Sequence, residues 1–205
     1  MKTYLGLVGT LLALASPFVS RTEAAVAYAS PTGGNEAPYA TPATAARNLA
    51  DAVAAAAEGA TAASPGICYL AGTFTEANGL DATHAHLVEL ESPVRLVGLG
   101  ASPADTVIDG GGTRRLVRVA AAGAGLENLT LLGAADKSSS SDLGYALHLA
   151  EGTVTNCVIA GGSKAAAGGS ESYVRQTGGL LVNSQIRDHA DNTSLNVNEP
   201  SVCAA

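Results

Sequence analysis

The chain has 205 residues, 47% hydrophobic but only 4% aromatic and without Trp, so it suits one domain whose modest core is filled by Ala, Val, Leu and Ile. Charged residues are 14% and the formal net charge is −7, with an isoelectric point near 4.9. Nucleic acid is therefore excluded as a natural partner, because neutralising phosphates takes clustered Lys and Arg.

The N-terminus has the layout of a secretory signal over residues 1–25. Lys2 is the positive residue, and Leu5 to Ala15 form an apolar run too short to span a bilayer. Small-residue cleavage sites stand at Ala13-Leu14-Ala15, Thr22-Glu23-Ala24 and Ala25-Val26-Ala27, of which the later two are favoured because Tyr28 reads as the start of folded sequence. Cleavage removes Lys2, Arg21 and Glu23 and leaves 9 basic and 17 acidic residues, a net charge of −8. No second apolar stretch follows, so no membrane anchor is expected and the mature chain is read as secreted, periplasmic or surface-located.

Residues 26–66 are expected to hold a strand and an amphipathic helix. Ser30-Pro31-Thr32-Gly33-Gly34-Asn35 is turn chemistry. Thr41 is then a good N-cap with Pro42 at the first helical position. From Ala43 to Glu58, the small and apolar residues Ala46, Leu49, Ala50, Val53 and Ala57 recur at helical spacing. Arg47 and Asp51 could pair one turn apart, and Gly59 ends the helix. Such a one-sided helix must lie against something.

Residues 67–191 read as strands. Ile67-Cys68-Tyr69-Leu70 opens the series and Ala71-Gly72-Thr73-Phe74 follows; the stretch to Glu91 is less regular. Beyond it four segments align without gaps, beginning at Asp105, Asn128, Asn156 and Asn183, at intervals of 23, 28 and 27 residues. After each Asp or Asn, alternate positions are small or apolar: Thr106 and Ile108, Leu129 and Leu131, Cys157 and Ile159, Ser184 and Ile186. Another strand precedes each: Val94 to Val97, Leu116 to Val119, Ala146 to Leu149, and Tyr173 to Gln176. Asp109-Gly110-Gly111-Gly112 reads as a wide turn, and the loops Ala134–Gly144 and Gly162–Ser172 are rich in Ser, Gly and Ala.

One such period cannot bury its own apolar face; stacked periods bury a continuous column. Asn tolerates the left-handed backbone of a tight corner and can stack its amides into a ladder. The expected fold is all-β, a parallel β-helix of about four coils, with Asp105, Asn128, Asn156 and Asn183 as the ladder. A β-sandwich is the rival, but it would not place the same residue at the same corner every ~27 residues. Residues 192–205 form an irregular tail. It either folds over the open end or marks a shortened form of a longer protein.

The Ser30-Pro31-Thr32-Gly33 opening, the one-sided helix, the Ala71-Gly72-Thr73-Phe74 strand end, the Thr106–Gly112 segment and the Asn corners resemble the pectin-lyase-like right-handed β-helix proteins, the large secreted bacterial ones in particular. The resemblance spans roughly Tyr28 to Asp188. It implies a right-handed coil and a helix that caps its open end. It is specific for fold and says little about activity.

Two clusters could carry chemistry. Arg95, Arg118, His148 and Arg175 take equivalent places in the four leading strands, between apolar neighbours. Alternation turns them outward as a cationic stripe roughly 14 Å long, at about 4.8 Å per coil. The resemblance places this strand along the substrate groove, where Arg suits uronate carboxylates. Outward strand positions are also often charged simply to discourage other pairings. The second cluster is Arg187-Asp188-His189-Ala190-Asp191-Asn192, an acid/base set by composition. The paired aspartates and Gly-His-Gly segment of polygalacturonase-like enzymes are missing. Asp136, Asp142, Asp188 and Asp191 are thin for calcium, which takes six or more oxygens.

Cys68, Cys157 and Cys203 lack metal spacing, so no zinc site is expected; Cys157 reads as a buried thiol, and a Cys68–Cys203 bridge is open. The expected function is a glycan-binding or surface-interaction module, for acidic polysaccharide, with no identifiable catalysis and no cofactor. The alternative is a polysaccharide lyase or glycoside hydrolase of the pectin-lyase-like type, with calcium as cofactor in the lyase case.

Overall fold

A computed structural model of the protein describes residues 24–78, 85–136, 144–164, 172–189 and 195–197. The signal-like segment falls almost wholly outside them, as do Asp142, Asp191, Asn192 and Cys203.

Strand β1 (Val26–Ala29) and helix α1 (Leu49–Ala56) precede the coils. The first set of strands is β2 (Gly66–Leu70), β3 (Gly72–Phe74) and β4 (His86–Leu90). The second is β5 (Val94–Gly98) and the long β6 (Thr106–Val119), whose two halves serve two faces. There follow β7 (Gly125–Glu127), β8 (Thr130–Asp136) and β9 (Leu147–Leu149). Next come β10 (Thr153–Thr155), β11 (Val158–Lys164) and β12 (Val174–Gln176). The last set is β13 (Leu180–Val182), β14 (Gln185–His189) and β15 (Leu195–Val197).

Each strand pairs with its equivalent one coil away. Sheet I runs β1-β2-β5-β7-β10-β13. Sheet II holds β3, the first half of β6, β8, β11 and β14. Sheet III holds β4, the second half of β6, β9, β12 and β15. All these pairings are parallel, which excludes the antiparallel β-sandwich and establishes a parallel β-solenoid of about four turns.

The core is a stack of like residues in register. In sheet I the column is Ala27, Cys68, Leu96, Leu126, Val154 and Leu181. In sheet II it is Phe74, Ile108, Leu131, Ile159 and Ile186. Sheet III contributes Val88, Val117, Leu147 and Val174. Almost all are fully buried. At roughly 1.5–3 kcal/mol per buried aliphatic side chain, these columns are the main force holding one coil on the next. Small and branched side chains at 4.8 Å spacing fill the narrow interior, which explains the scarcity of aromatics.

The Asn corners turn sheet I into sheet II. Asn128, Asn156 and Asn183 have φ of 54°, 49° and 48°, the left-handed region. Asn156 Nδ2 donates to Asn128 Oδ1 at 3.0 Å, and Asn128 Nδ2 donates to the carbonyls of Gly98 at 3.0 Å and Gly100 at 3.2 Å. Asp105 does not stand in this ladder. An inserted turn separates β5 from β6, and Asp105 closes it, accepting from the Ser102 backbone N–H at 2.9 Å. The backbone carbonyls of Gly98 and Gly100 take its place against Asn128.

The N-terminal helix is shorter than the sequence pattern suggests. Thr41 and Pro42 do start a helical turn, with a Thr41–Thr44 capping box, but it is a single 3-10 turn. The chain then extends so that Ala46 can pair with the edge of β1: Ala46 N–H donates to Tyr28 and Ser30 N–H donates to Ala46. α1 restarts with Asn48 as its N-cap. Arg47 therefore precedes the helix, and its Nε donates to the Gly33 carbonyl at 2.8 Å rather than reaching Asp51. Asp109–Gly112 is a bend inside β6, with Gly111 and Gly112 at positive φ and the register against β8 shifting there.

Candidate functional site

Sheet III carries the polar column. Its register runs Glu89, Arg118, His148, Arg175, Asn196 on successive strands. Val117 and Val119 on β6, and Leu147 and Leu149 on β9, face the core on either side of it. Arg118, His148 and Arg175 are thus adjacent, as the sequence suggests, and span about 10 Å at the interstrand spacing.

Arg95 is not among them. It lies on β5 in sheet I, beside Ile67 and Gly125, and its Nη2 is 2.6 Å from Glu127 Oε2. The strand that precedes Asp105 is a short sheet I strand, whereas those ending at Val119, Leu149 and Gln176 belong to sheet III. The true counterpart of Arg118 one coil earlier is Glu89 on β4. Its signal in the sequence is a repeated spacing: His86 and Glu89 stand three apart, as do Arg115 and Arg118, offset by 29 residues, and His86 pairs with Arg115.

Glu89 changes the electrostatics. Arg118 Nη1 lies 3.7 Å from Glu89 Oε2 and 3.4 Å from Glu91 Oε1. The column is therefore acidic at β4 and cationic further along. A guanidinium has five N–H donors, so these contacts do not exhaust Arg118.

His148 is the least satisfied member. Only 8% of it is exposed, and its Nδ1 has no hydrogen-bond partner among the described residues. Burial, reinforced by His86, Arg118 and Arg175, pushes its pKa down to about 4, so it is a neutral imidazole at pH 7. Its ring centroid is 6.3 Å from that of His86. The His86 Nε2 is 3.0 Å from the Gly144 carbonyl, which can only accept, so Nε2 holds the proton. Nδ1 lies 3.4 Å from Glu89 Oε1. Burial lowers the His86 pKa too, partly opposed by Gly144 and Glu89. Below the column, Gln176 Oε1 is also buried and unpartnered among the described residues, while its Nε2 donates to Gly179.

The second predicted cluster is not assembled among the described residues. Asp188 sits in a left-handed corner (φ 54°), with one carboxylate oxygen 3.2 Å from Arg187 Nη1, and His189 ends β14. The two cysteines described are free and buried, Cys68 facing the core column and Cys157 with its Sγ 3.2 Å from the Thr155 carbonyl. Burial raises each thiol pKa to about 12.

Chemically, the two guanidiniums can hold an anion by charge and by directed hydrogen bonds. No protein-family model, curated protein or solved structure matches this chain.

Proposed function

We propose that sheet III is the binding face of a secreted, pectin-lyase-like β-helix module that holds acidic polysaccharide without cleaving it. The observation that carries this is the Arg118–His148–Arg175 register, which sets two guanidiniums on either side of an imidazole along one sheet. Arg118 and Arg175 are two coils apart, so each would meet a different sugar of a uronate chain. A right-handed coil follows from the strong preference of parallel crossovers for that hand. Secretion rests on the N-terminal Lys2 and Leu5–Ala15 pattern.

The test is retention of the purified protein on acidic and neutral polysaccharides, with calcium, while reducing and unsaturated ends are followed. Retention on polyuronate that weakens with salt and is lost in Arg118→Ala and Arg175→Ala supports the proposal. Release of new chain ends would replace it with the lyase or hydrolase reading. Absence of retention would reduce the column to a solvated face.

A further inference from the structure

On the reading of sheet III as a face for acidic chains, on which this rests, we propose that Glu91 is a built-in competitor for Arg118. It holds the guanidinium before ligand arrives, lowers the affinity of the face, and is displaced when a ligand carboxylate seats there. Two carboxylates share one guanidinium nitrogen: Arg118 Nη1 is 3.4 Å from Glu91 Oε1 and 3.7 Å from Glu89 Oε2. One positive charge therefore stands against two negative ones. A ligand carboxylate at Arg118 would be the third around a single guanidinium, and like charges brought together in that way oppose binding.

The two glutamates are not equally easy to displace. Glu89 lies within β4 with its side chain 13% exposed. Its Oε1 also accepts from the His86 backbone N–H at 3.3 Å and lies 3.4 Å from His86 Nδ1. The strand holds it in place. Glu91 stands just past the end of β4, and its side chain is 68% exposed. Among the described residues its only side-chain ion pair is with Arg118. Arg118 itself is 29% exposed on its side chain, so both partners can re-orient toward solvent. Exposed pairs of this kind are weak, so Glu91 tunes binding and does not block it. The expected change in affinity is on the order of two- to fivefold.

The test is calorimetric titration of the intact protein with a galacturonate oligomer at low and at high salt. Glu91→Gln keeps the side-chain size and removes the charge. It should bind roughly two- to fivefold tighter at low salt, and the gain should fade at high salt as screening shortens the reach of the charge. Glu36→Gln, at an exposed position in the turn before Thr41, should bind as wild type does. That separates local competition from the loss of one negative charge on a chain of net charge −7. Adding Glu91→Gln to Arg118→Gln should bring no gain, because the competitor then has nothing to hold. Glu91→Gln binding no tighter than wild type, an equal gain from Glu36→Gln, or a gain that survives in Arg118→Gln would overturn the competition and leave the binding face standing. No binding by wild type or by Glu91→Gln would overturn the binding face, and the competition with it.

Discussion

Replacing Asn128 separates the two jobs of the corner residue. Its backbone is left-handed (φ 54°), and its amide makes three hydrogen bonds, to Gly98, Gly100 and Asn156. Asn128→Gly keeps the backbone and loses the amide. With each hydrogen bond contributing about 0.5–1.5 kcal/mol, it should cost ~2–3 kcal/mol. Asn128→Ala loses the same bonds and keeps a Cβ in the left-handed region without the polar side chain that lets Asn sit there, about 1–2 kcal/mol worse than glycine. The flexible glycine loses part of that advantage through its unfolded-state entropy, about 0.4–1 kcal/mol. Alanine should therefore be the worse by ~1 kcal/mol. Asn128→Asp keeps the acceptor for Asn156 but points a carboxylate at two carbonyls, and should fall at or below alanine. Equilibrium urea unfolding, with the denaturant slope checked for constancy, reads all three. Alanine within 0.5 kcal/mol of wild type, or glycine less stable than alanine, would refute the corner argument.

Three further outcomes follow from the same geometry. His148 stays neutral in the folded state down to about pH 4, whereas the unfolded chain takes up that proton near pH 6.5. Stability from this group is complete above pH 6.5 and falls toward pH 4 by up to ~1.4 kcal/mol per pH unit, and His148→Gln should flatten that slope in pH-dependent unfolding. Leu131 is fully buried in the sheet II column, so Leu131→Ala should cost about 2–5 kcal/mol by urea unfolding. Cys68 and Cys157 are buried with thiol pKa values near 12, so peptide mapping after native alkylation at pH 8 should find both unmodified, and both labelled in urea.

The solenoid was legible because its corners need a special backbone and its coils are small: Asn128, Asn156 and Asn183 declare themselves by type and spacing. The candidate site was legible in part, since Arg118, His148 and Arg175 precede Asn128, Asn156 and Asn183 by 10, 8 and 8 residues. The first coils escaped because they break the period. An inserted turn before β6 put Asp105 at the alignment's corner position without making it one. That same shift presented Arg95 of sheet I as a member of sheet III. His86 and Glu89 were hidden because β4 follows an irregular segment and mixes polar side chains into a buried strand. The helix was misjudged because alanine spacing records helix propensity and not the pairing of Ala46 with β1, which demands an extended chain there.

The central claim is that register, not local charge, assembles the binding face. The direct measurement compares retention of wild type, Arg175→Gln, Arg118→Gln and Arg95→Ala on polygalacturonate across a salt gradient. Loss of retention in the first two variants, with Arg95→Ala equal to wild type, is the predicted result. Arg95→Ala as damaging as Arg175→Gln, or no retention of the wild type at low salt, would contradict it.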